Sequence, residues 1–381
     1  MLAIINAELV MRDHLIPEAV LFVEDGKIAG YGEMRNTPVP EGCEILDAKG
    51  FYVGPGLMDI HVHTGGDIHF WEDPAKAAQH HLKHGVTTVL ATSYGRLTKE
   101  QHIQMCDNVR KAMQTPEGES IGGIYFEGPY LNPNYGANRK ISPWPDRGIL
   151  AEDYVPMVEA ARDLVRVWGI APESDGIFDF VREVKRSSPD ARFAVCHSEA
   201  EPQHIEALIP YGLCIGTHHT NATGTIERYP ECRGVCVDET VNYNREIYAE
   251  LICDSWGIHV DPYMLRLVRR IKGDERIILI SDQTCYNNPT PAKYEGVTDI
   301  NFTPDGSDIA GSKLTVDVAC RNYMKHTGAS IVDAFRVASY NPAHATGFYD
   351  RGEIREGLRA DLVLVDRKMN VKTVILCGKI K

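Results

Sequence analysis

Short apolar runs bounded by turn residues occur at both ends of the chain, and they have the length and composition of β-strands. A hairpin signal, Glu24-Asp25-Gly26, interrupts the second of them. Because similar runs return near the C-terminus, we predict a small β-sandwich-like domain built jointly from residues 1–53 and 350–381. The four runs are Leu2–Val10, Ala19–Gly32, Asp361–Asp366 and Lys372–Gly378.

Between these ends the pattern changes to apolar strands that alternate with amphipathic helices, which is typical of a parallel sheet covered by helices. Eight βα units over about three hundred residues predict a (β/α)₈ TIM barrel over residues 54–349. The predicted strands are Phe51–His63, Gly85–Thr92, Ile121–Glu127, Val165–Ala171, Arg192–His197, Leu213–His218, Tyr248–Asp254 and Arg276–Asp282. Predicted helices include Asp73–His84, Lys99–Gln114, Asp153–Ala161, Gly176–Ser187 and Pro262–Ile271.

Charge and hydropathy narrow the classes of function. A net charge of −13 over 381 residues argues against a general nucleic-acid binder, which needs a positive surface. No apolar stretch is long enough for a membrane helix. Asn6, Glu8 and Arg12 interrupt the N-terminal run too early for a secretory signal, so we expect a cytoplasmic enzyme. The ten cysteines include no C-x-x-C pair, and we interpret them as reduced thiols.

Five of the eight predicted strands end in side chains that can bind a divalent metal. The first strand ends in an H-x-H pair, whose two imidazoles project to the same side because side chains alternate along a strand. A glutamate at the end of the third strand has two oxygens, and each of them can coordinate a different ion. The candidate ligands are His61, His63, Glu127, His197, His218 and Asp282.

Each of these side chains alone has an ordinary structural explanation, such as a packed histidine or a carboxylate that caps a helix. Their common position is harder to explain in that way, because the active sites of this barrel lie at the carboxyl ends of several strands. Imidazoles combined with carboxylates suit Zn²⁺, Fe²⁺, Co²⁺ or Mn²⁺. We therefore predict a site for one or two divalent ions.

Motifs around these residues give the chain a family resemblance over nearly its whole length. It resembles the amidohydrolase superfamily and, within it, the N-acetylglucosamine-6-phosphate deacetylase family. The E-G-P-x-L-N-P and G-I-H-V-D strings are specific to the deacetylases, whereas H-x-H and S-D are shared more widely. The motifs are Pro55–His63, Phe126–Pro133, Ala171–Glu173, Thr217–Ala222, Gly257–Asp261 and Ser281–Asp282.

The resemblance implies a role for each matching residue. Glu127, His197 and His218 would hold the main metal ion, and His61 and His63 would complete a second site. Asp282 would act as general base and then general acid. Asn221, the backbone of Ala222 and His259 would contact the sugar phosphate. The family is commonly dimeric, and an arginine of the neighbouring subunit assists with the phosphate.

Two segments depart from the family pattern. Family members usually carry a substrate-holding histidine about a dozen residues beyond the E-G-P glutamate, where this chain offers Asn138. The family's H-R-x-P-G pattern after Asn221 is replaced by residues 227–234, in which Arg228 or Arg233 is a candidate for the phosphate. These departures leave the exact sugar open.

The expected reaction is the removal of acetate from an N-acetylated amino sugar phosphate, with N-acetylglucosamine-6-phosphate as first choice. N-acetylgalactosamine-6-phosphate and other N-acyl substrates of the superfamily are the alternatives. Many cyclic amidases bridge their metals with a carboxylated lysine after the fourth strand, and here Ile170–Glu173 contains no lysine. A barrel that has lost catalysis is the alternative outside the enzymes, and metal analysis would distinguish it.

Overall fold

Two sheets organise the chain in the computed structural model, which describes residues 1–137, 143–144, 148–225, 229–232, 234–286 and 288–381. The strands are β1 (Leu2–Val10), β2 (Leu15–Glu24), β3 (Lys27–Glu33), β4 (Glu44–Asp47), β5 (Tyr52–Pro55), β6 (Leu57–Val62), β7 (Thr64–Gly65), β8 (Ile68–His69), β9 (Val86–Ser93), β10 (Ile121–Glu127), β11 (Val165–Ile170), β12 (Arg192–Val195), β13 (Leu213–Gly216), β14 (Tyr248–Ile252), β15 (Ile277–Ile280), β16 (Ile300–Phe302), β17 (Ile309–Ser312), β18 (Leu362–Val365), β19 (Val371–Leu376) and β20 (Lys379–Ile380). The helices are α1 (Pro74–Lys83), α2 (Lys99–Ala112), α3 (Ala151–Ala161), α4 (Ile177–Ser187), α5 (Pro202–Glu206), α6 (Val237–Tyr243), α7 (Pro262–Lys272), α8 (Val316–Thr327), α9 (Ile331–Phe335) and α10 (Asn341–Ala345).

The barrel consists of eight parallel strands in the order β6, β9, β10, β11, β12, β13, β14 and β15. At the remaining seam, the amide of Asp282 donates to the carbonyl of His61 at 3.0 Å, so the first and last strands also meet. The predicted (β/α)₈ barrel is confirmed. Strands β12, β13 and β15 end two residues earlier than predicted, because the backbone leaves the extended conformation next to the ligand-bearing residues His197, His218 and Asp282.

The barrel strands are apolar on both faces, as expected of a parallel sheet covered by helices. Inward-facing side chains such as Ile60, Tyr125 and Ile278 form a core inside the barrel. Outward-facing side chains pack against the helices in a separate core. Helix α4 shows the matching pattern, because it buries positions 177, 180, 181 and 184 on a single face. This packing fixes the strand ends that carry the predicted ligands.

The second sheet contains β1–β5 and β18–β20, and therefore only strands from residues 2–55 and 362–380. Strands β4 and β5 both pair in parallel with β1, and β18 pairs antiparallel with β5. Strand β5 leads directly into β6, which connects this sheet to the barrel. The small β unit is formed by both termini, as predicted, whereas the boundaries at 53/54 and 349/350 stay a prediction.

The ten cysteines form no disulfide bond in the described part of the chain. None of the described helices has an apolar stretch long enough to span a membrane.

Candidate metal centre

Strand β6 delivers two buried imidazoles to the carboxyl edge of the barrel. His61 directs Nδ1 to Glu250 Oε2 at 3.1 Å, and its Nε2 has no hydrogen-bond partner among the described residues. His63 stacks on the ring of Tyr94, with 4.1 Å between the ring centroids. Both histidines are almost fully buried, at 0% and 2% exposure. The contact with Glu250 thus orients the ring of His61, and the stacking on Tyr94 orients the ring of His63.

Glu127, the last residue of β10, lies at the centre of the cluster. Its Oε1 is 3.1 Å from Nε2 of both His197 and His218, and 3.7 Å from His61 Nε2. Its Oε2 is 3.2 Å from His63 Nε2. The two carboxylate oxygens therefore face different histidines, which is the arrangement that a carboxylate needs to serve two neighbouring ions.

Three of the six side chains lie on residues with left-handed backbone conformations. His197, His218 and Asp282 have φ angles of 41°, 29° and 47°, respectively. Such angles are uncommon outside glycine and mark strained positions that often belong to functional sites. Because each residue lies two positions after the end of a barrel strand, the sharp turn directs its side chain into the mouth. Asp282 Oδ1 thereby comes within 3.3 Å of His63 Nε2.

The candidate ligand atoms form two groups within which all atoms lie within 4.8 Å of one another. All six predicted ligands belong to these groups, and Cys196 joins the first. Its Sγ is 3.9 Å from Glu127 Oε1, although burial raises the pKa of this thiol well above its ordinary value. The groups are Glu127, Cys196, His197 and His218, and then His61, His63 and Asp282.

The donor set fits a metal ion. His197 Nδ1 faces the carbonyl of Tyr135 at 3.4 Å, and His218 Nδ1 faces that of Asn221 at 3.2 Å. Such a contact occupies Nδ1, the ring nitrogen that would face away from the metal. It leaves Nε2 as the ligand atom. The two Nε2 atoms are 3.1 Å apart and point at the same carboxylate oxygen. Nitrogens with this convergence, together with the unpartnered His61 Nε2, are arranged as ligands of a cation.

Burial and hydrogen bonding set the charges in the cluster. Burial alone would raise the pKa of Glu127, but hydrogen bonds from His197 and His218 hold it well below the ordinary value. Burial would likewise lower the pKa of His63, yet hydrogen bonds to Asp282 and Glu127 raise it to about 9. Below the cluster, burial raises the pKa of Asp59 to about 7, although Ser281 donates a hydrogen bond to it.

Comparison with known proteins agrees with this geometry. Residues 286–381 match the family model described as the amidohydrolase family. The chain is 28% identical to N-acetylglucosamine-6-phosphate deacetylase of Bacillus subtilis (strain 168), covering 100% of this chain and 96% of the relative. It is 27% identical to N-acetylgalactosamine-6-phosphate deacetylase of Escherichia coli O157:H7, covering 94% of each.

Solved structures show the same fold. The N-acetylglucosamine-6-phosphate deacetylase of Pasteurella multocida superposes with a TM-score of 0.85 at 23% identity, over 100% of this chain and 99% of the other. A variant of the Mycobacterium smegmatis deacetylase in complex with N-acetyl-D-glucosamine-6-phosphate gives 0.83 at 25% identity, over 100% and 98%. The chain is thus similar over its whole length to the N-acetylglucosamine-6-phosphate deacetylases, and its C-terminal quarter matches the amidohydrolase family.

A cavity of about 660 Å³ opens above the cluster. Three of the predicted substrate-binding residues, Asn221, Ala222 and His259, line it. Asn221 Nδ2 donates to the His259 carbonyl at 2.7 Å, and Ala222 has a φ of 55°. The structure therefore brings these three residues to the same wall of the cavity. The other two predictions, Asn138 and Arg228, lie outside the described residues, as does Arg233.

The partner of His61 is not among the predicted site residues. Glu250 is fully buried in β14, where its Oε2 also accepts a hydrogen bond from the His218 amide at 3.2 Å. The available signal was a glutamate within an apolar barrel strand, because carboxylates are rarely buried without a partner. Glu173 of the Ala171–Glu173 motif is likewise not among the predicted site residues. It accepts a hydrogen bond at 2.7 Å from Oγ of Ser198, the residue next to His197.

Proposed function

We propose that this protein is a metal-dependent deacetylase that hydrolyses the acetamide of N-acetylglucosamine-6-phosphate to acetate and the free amino sugar phosphate. The observation that carries the proposal is the convergence of six metal-binding side chains beneath one cavity. The names of the relatives, and the sugar phosphate bound to the Mycobacterium smegmatis variant, support the choice of substrate.

Two groups of side chains would each hold one metal ion. Glu127, His197 and His218 would hold the main ion, and His61 and His63 would serve a second one with Asp282. A bound divalent ion supplies a Lewis acid for the carbonyl and lowers the pKa of water. The predominance of imidazole ligands favours Zn²⁺, Fe²⁺, Co²⁺ or Mn²⁺ over Mg²⁺ or Ca²⁺, which prefer oxygen ligands.

Asp282 is the group that moves the proton in this proposal. Its carboxylate lies at the base of the cavity, 3.3 Å from His63 Nε2, with 9% of the residue exposed. It would accept a proton from the attacking water and then deliver it to the amine nitrogen, because an amide anion is a poor leaving group. The same carboxylate therefore serves as base in the first step and as acid in the second.

The cavity wall above the cluster would hold the sugar. His259 Nδ1 lies 3.3 Å from Asp254 Oδ2, and its buried Nε2 has no partner among the described residues. The buried Oδ1 of Asn221 is also without a described partner. Because unpaired buried polar atoms are unfavourable, these two atoms are suited to hydrogen-bond the hydroxyl and amide groups of a sugar. Asn138 and Arg228 remain candidates for substrate binding, on the evidence of the sequence alone.

A second substrate has a specific observation in its favour. One of the relatives is an N-acetylgalactosamine-6-phosphate deacetylase with 27% identity. The two sugars differ only in the configuration of one hydroxyl, which leaves the hydrolytic chemistry unchanged. A catalytically inactive barrel is disfavoured because the ligand set and Asp282 are all present.

The cellular setting is part of the proposal. We infer a cytoplasmic enzyme, because the cysteines are unpaired and the substrate class consists of phosphorylated metabolites. We also infer a homodimer, on the family resemblance alone. Sedimentation of the purified protein would test the assembly.

The deciding experiment measures acetate release from the N-acetyl-6-phosphates of glucosamine and galactosamine, and from the unphosphorylated sugars, at defined metal loading. The proposal expects turnover that requires metal and is fastest with N-acetylglucosamine-6-phosphate. Faster turnover of the galactosamine compound would favour the second substrate. A metal-loaded protein that released no acetate from any of the sugars would refute the deacetylase assignment.

A further inference from the structure

Asp282 carries its carboxylate on a backbone turn that depends on other parts of the chain. Its φ of 47° lies in the left-handed region, which residues other than glycine adopt only where their surroundings hold them there. The pairing of β15 with β14 ends at Ile280, so the sheet itself does not fix this turn. The contacts around the turn therefore decide where the carboxylate points.

Ser312, the last residue of β17, makes two of these contacts. Its amide donates to the Asp282 carbonyl at 2.9 Å, and its Oγ donates to the Ser281 carbonyl at 2.5 Å. A serine hydroxyl has a single proton, and Ser312 Oγ also accepts a hydrogen bond from the Leu314 amide, so its proton is directed to Ser281. One residue thus holds the peptide groups on both sides of Asp282.

Strand β6 holds the same backbone through further hydrogen bonds. Asp59 accepts hydrogen bonds from Ser281 Oγ at 2.5 Å and from the Ser281 amide at 3.3 Å. The Asp282 amide donates to the His61 carbonyl at 3.0 Å. Asp59, Ser281 and Ser312 are all fully buried, so these bonds form away from bulk water.

Ser312 is itself fixed by the hairpin of β16 and β17. Its carbonyl accepts hydrogen bonds from Asn301 Nδ2 at 2.8 Å and from the Thr284 amide at 2.9 Å. Asn301 Nδ2 also donates to the Thr284 carbonyl at 2.9 Å. These bonds attach the hairpin to the segment that follows Asp282 and keep the donors of Ser312 in place.

The position of Ser312 limits how it can influence the reaction. It belongs to neither group of candidate metal ligands, and it is not among the described residues that line the cavity. An effect on catalysis would therefore pass through Asp282. Such an effect is large for a reacting group, since a displacement of about 1 Å can lower a rate about a hundredfold.

We propose that Ser312 is a positioning residue for the proton transfer, because its amide and hydroxyl hold the backbone on both sides of Asp282 and so aim the carboxylate at the metal centre. This inference rests on the proposed function for the role of Asp282 as base and acid.

The test measures kcat and KM of the metal-loaded enzyme in a double-mutant cycle of Ser312→Ala and Asp282→Asn. In the otherwise wild-type chain, we expect Ser312→Ala to lower kcat by about tenfold to a hundredfold, with KM and metal content retained. In the Asp282→Asn background the same change should cause no further loss, because the carboxylate that Ser312 positions is already gone. Ser312→Thr, which keeps the hydroxyl, should retain most of the wild-type kcat.

Ser188→Ala is the matched control. Ser188 is a buried serine at the end of α4, and its Oγ likewise donates to a backbone carbonyl, that of Arg162, at 2.9 Å. The kcat of this variant should equal that of the wild type. If Ser312→Ala does not fold, Ser312→Cys takes its place in the cycle, since a thiol fills the site but donates only a weak hydrogen bond.

A wild-type kcat in Ser312→Ala would overturn the proposal. An equal loss in both backgrounds, or a loss that follows the loss of bound metal, would also overturn it, since neither effect passes through Asp282. Crystal structures of the zinc-loaded wild type and Ser312→Ala separate these outcomes from failure of the proposed function. If no sugar is deacetylated, an Asp282 carboxylate that has moved away from His63 Nε2 in the variant still supports the positioning role, and an unmoved carboxylate refutes it.

Discussion

Glu250 and His61 form a fully buried pair in which Glu250 Oε2 lies 3.1 Å from His61 Nδ1. The contact joins β14 to the end of β6 past the intervening strand β15. Because the carboxylate accepts a hydrogen bond from Nδ1–H, it fixes the tautomer of His61 and leaves Nε2 unprotonated towards Glu127. Glu250 Oε2 also accepts a hydrogen bond from the His218 amide. One buried carboxylate therefore orients ligands of both candidate sites.

Replacing Glu250 with glutamine should weaken metal binding without unfolding the barrel. The amide has nearly the same shape but no charge, so it holds His61 less firmly and makes Nε2 a poorer ligand. We expect affinity for Zn²⁺ to fall about tenfold to a hundredfold, which is the usual effect of losing such a partner. Competition with a chromophoric chelator measures the affinity for Zn²⁺.

The matched control for this variant is Glu41→Gln, which removes the same charge from an exposed position in the terminal β unit. Its metal affinity should equal that of the wild type. If Glu250→Gln bound zinc as tightly as the control does, the contact with His61 would have no influence on the centre.

Asp282→Asn should separate metal binding from catalysis. The main ion would keep Glu127, His197 and His218, whereas the asparagine cannot accept the proton of the attacking water. We expect kcat to fall by about 10²- to 10⁴-fold, the usual contribution of general acid–base catalysis, with metal content retained. Turnover close to that of the wild type would remove Asp282 from the mechanism, and loss of metal would show that its main role is as a ligand.

His259→Asn tests the sugar-binding wall. The asparagine amide reaches the position of Nδ1, beside Asp254, but places no atom at the position of Nε2, which is buried and unpartnered among the described residues. We expect kcat/KM to fall by about ten- to a hundredfold, as for the loss of one or two hydrogen bonds to the substrate, with little change in metal content. Steady-state kinetics with the sugar phosphate measure the loss. Unaltered kinetics would place His259 outside the substrate site.

His102 gives the stability a predictable dependence on pH. Burial lowers its pKa to about 4, although the Thr98 carbonyl accepts a hydrogen bond from its ring. The unfolded chain takes up this proton near pH 6.5, so acidification from 6.5 towards 4 favours unfolding, and the effect vanishes above 6.5. Between pH 8 and pH 5, the free energy of unfolding should therefore fall by about 2 kcal/mol less in His102→Gln than in the wild type.

Urea denaturation at the two pH values provides this measurement, provided that unfolding is two-state. The exposed His204→Gln variant is the control and should follow the wild type. An identical loss in the wild type and in His102→Gln would show that this histidine does not titrate differently on folding.

Much of the barrel could be predicted because each strand is a compact apolar run bounded by turn residues. The ends of β10 and β15, for example, lie within two residues of the predicted positions. The common location of the metal-binding side chains also followed from the fold, since parallel strands of a barrel present their carboxyl ends on one face.

The directions of His197 and His218 could not be predicted in the same way. Strict alternation after Ala194 and Ile215, which face the barrel interior, accounts for the inward direction of Cys196 and Thr217 but would turn the histidine after each of them away. The left-handed backbone at both histidines turns their side chains into the mouth as well, and the sequence does not signal it because such angles are uncommon for any residue other than glycine. The contribution of Glu250 was hidden for another reason, since it depends on a contact across 189 positions of sequence.

The central claim is that six side chains distant in sequence surround a common metal-binding site. Anomalous diffraction from crystals grown with zinc and recorded on both sides of its absorption edge tests it directly. We predict a peak within about 2.0–2.3 Å of ligand atoms from Glu127, His197 and His218, the distances typical of zinc, and a neighbouring peak beside His61 and His63 if the second site fills. A zinc-saturated protein whose peak lay away from these residues would contradict the account.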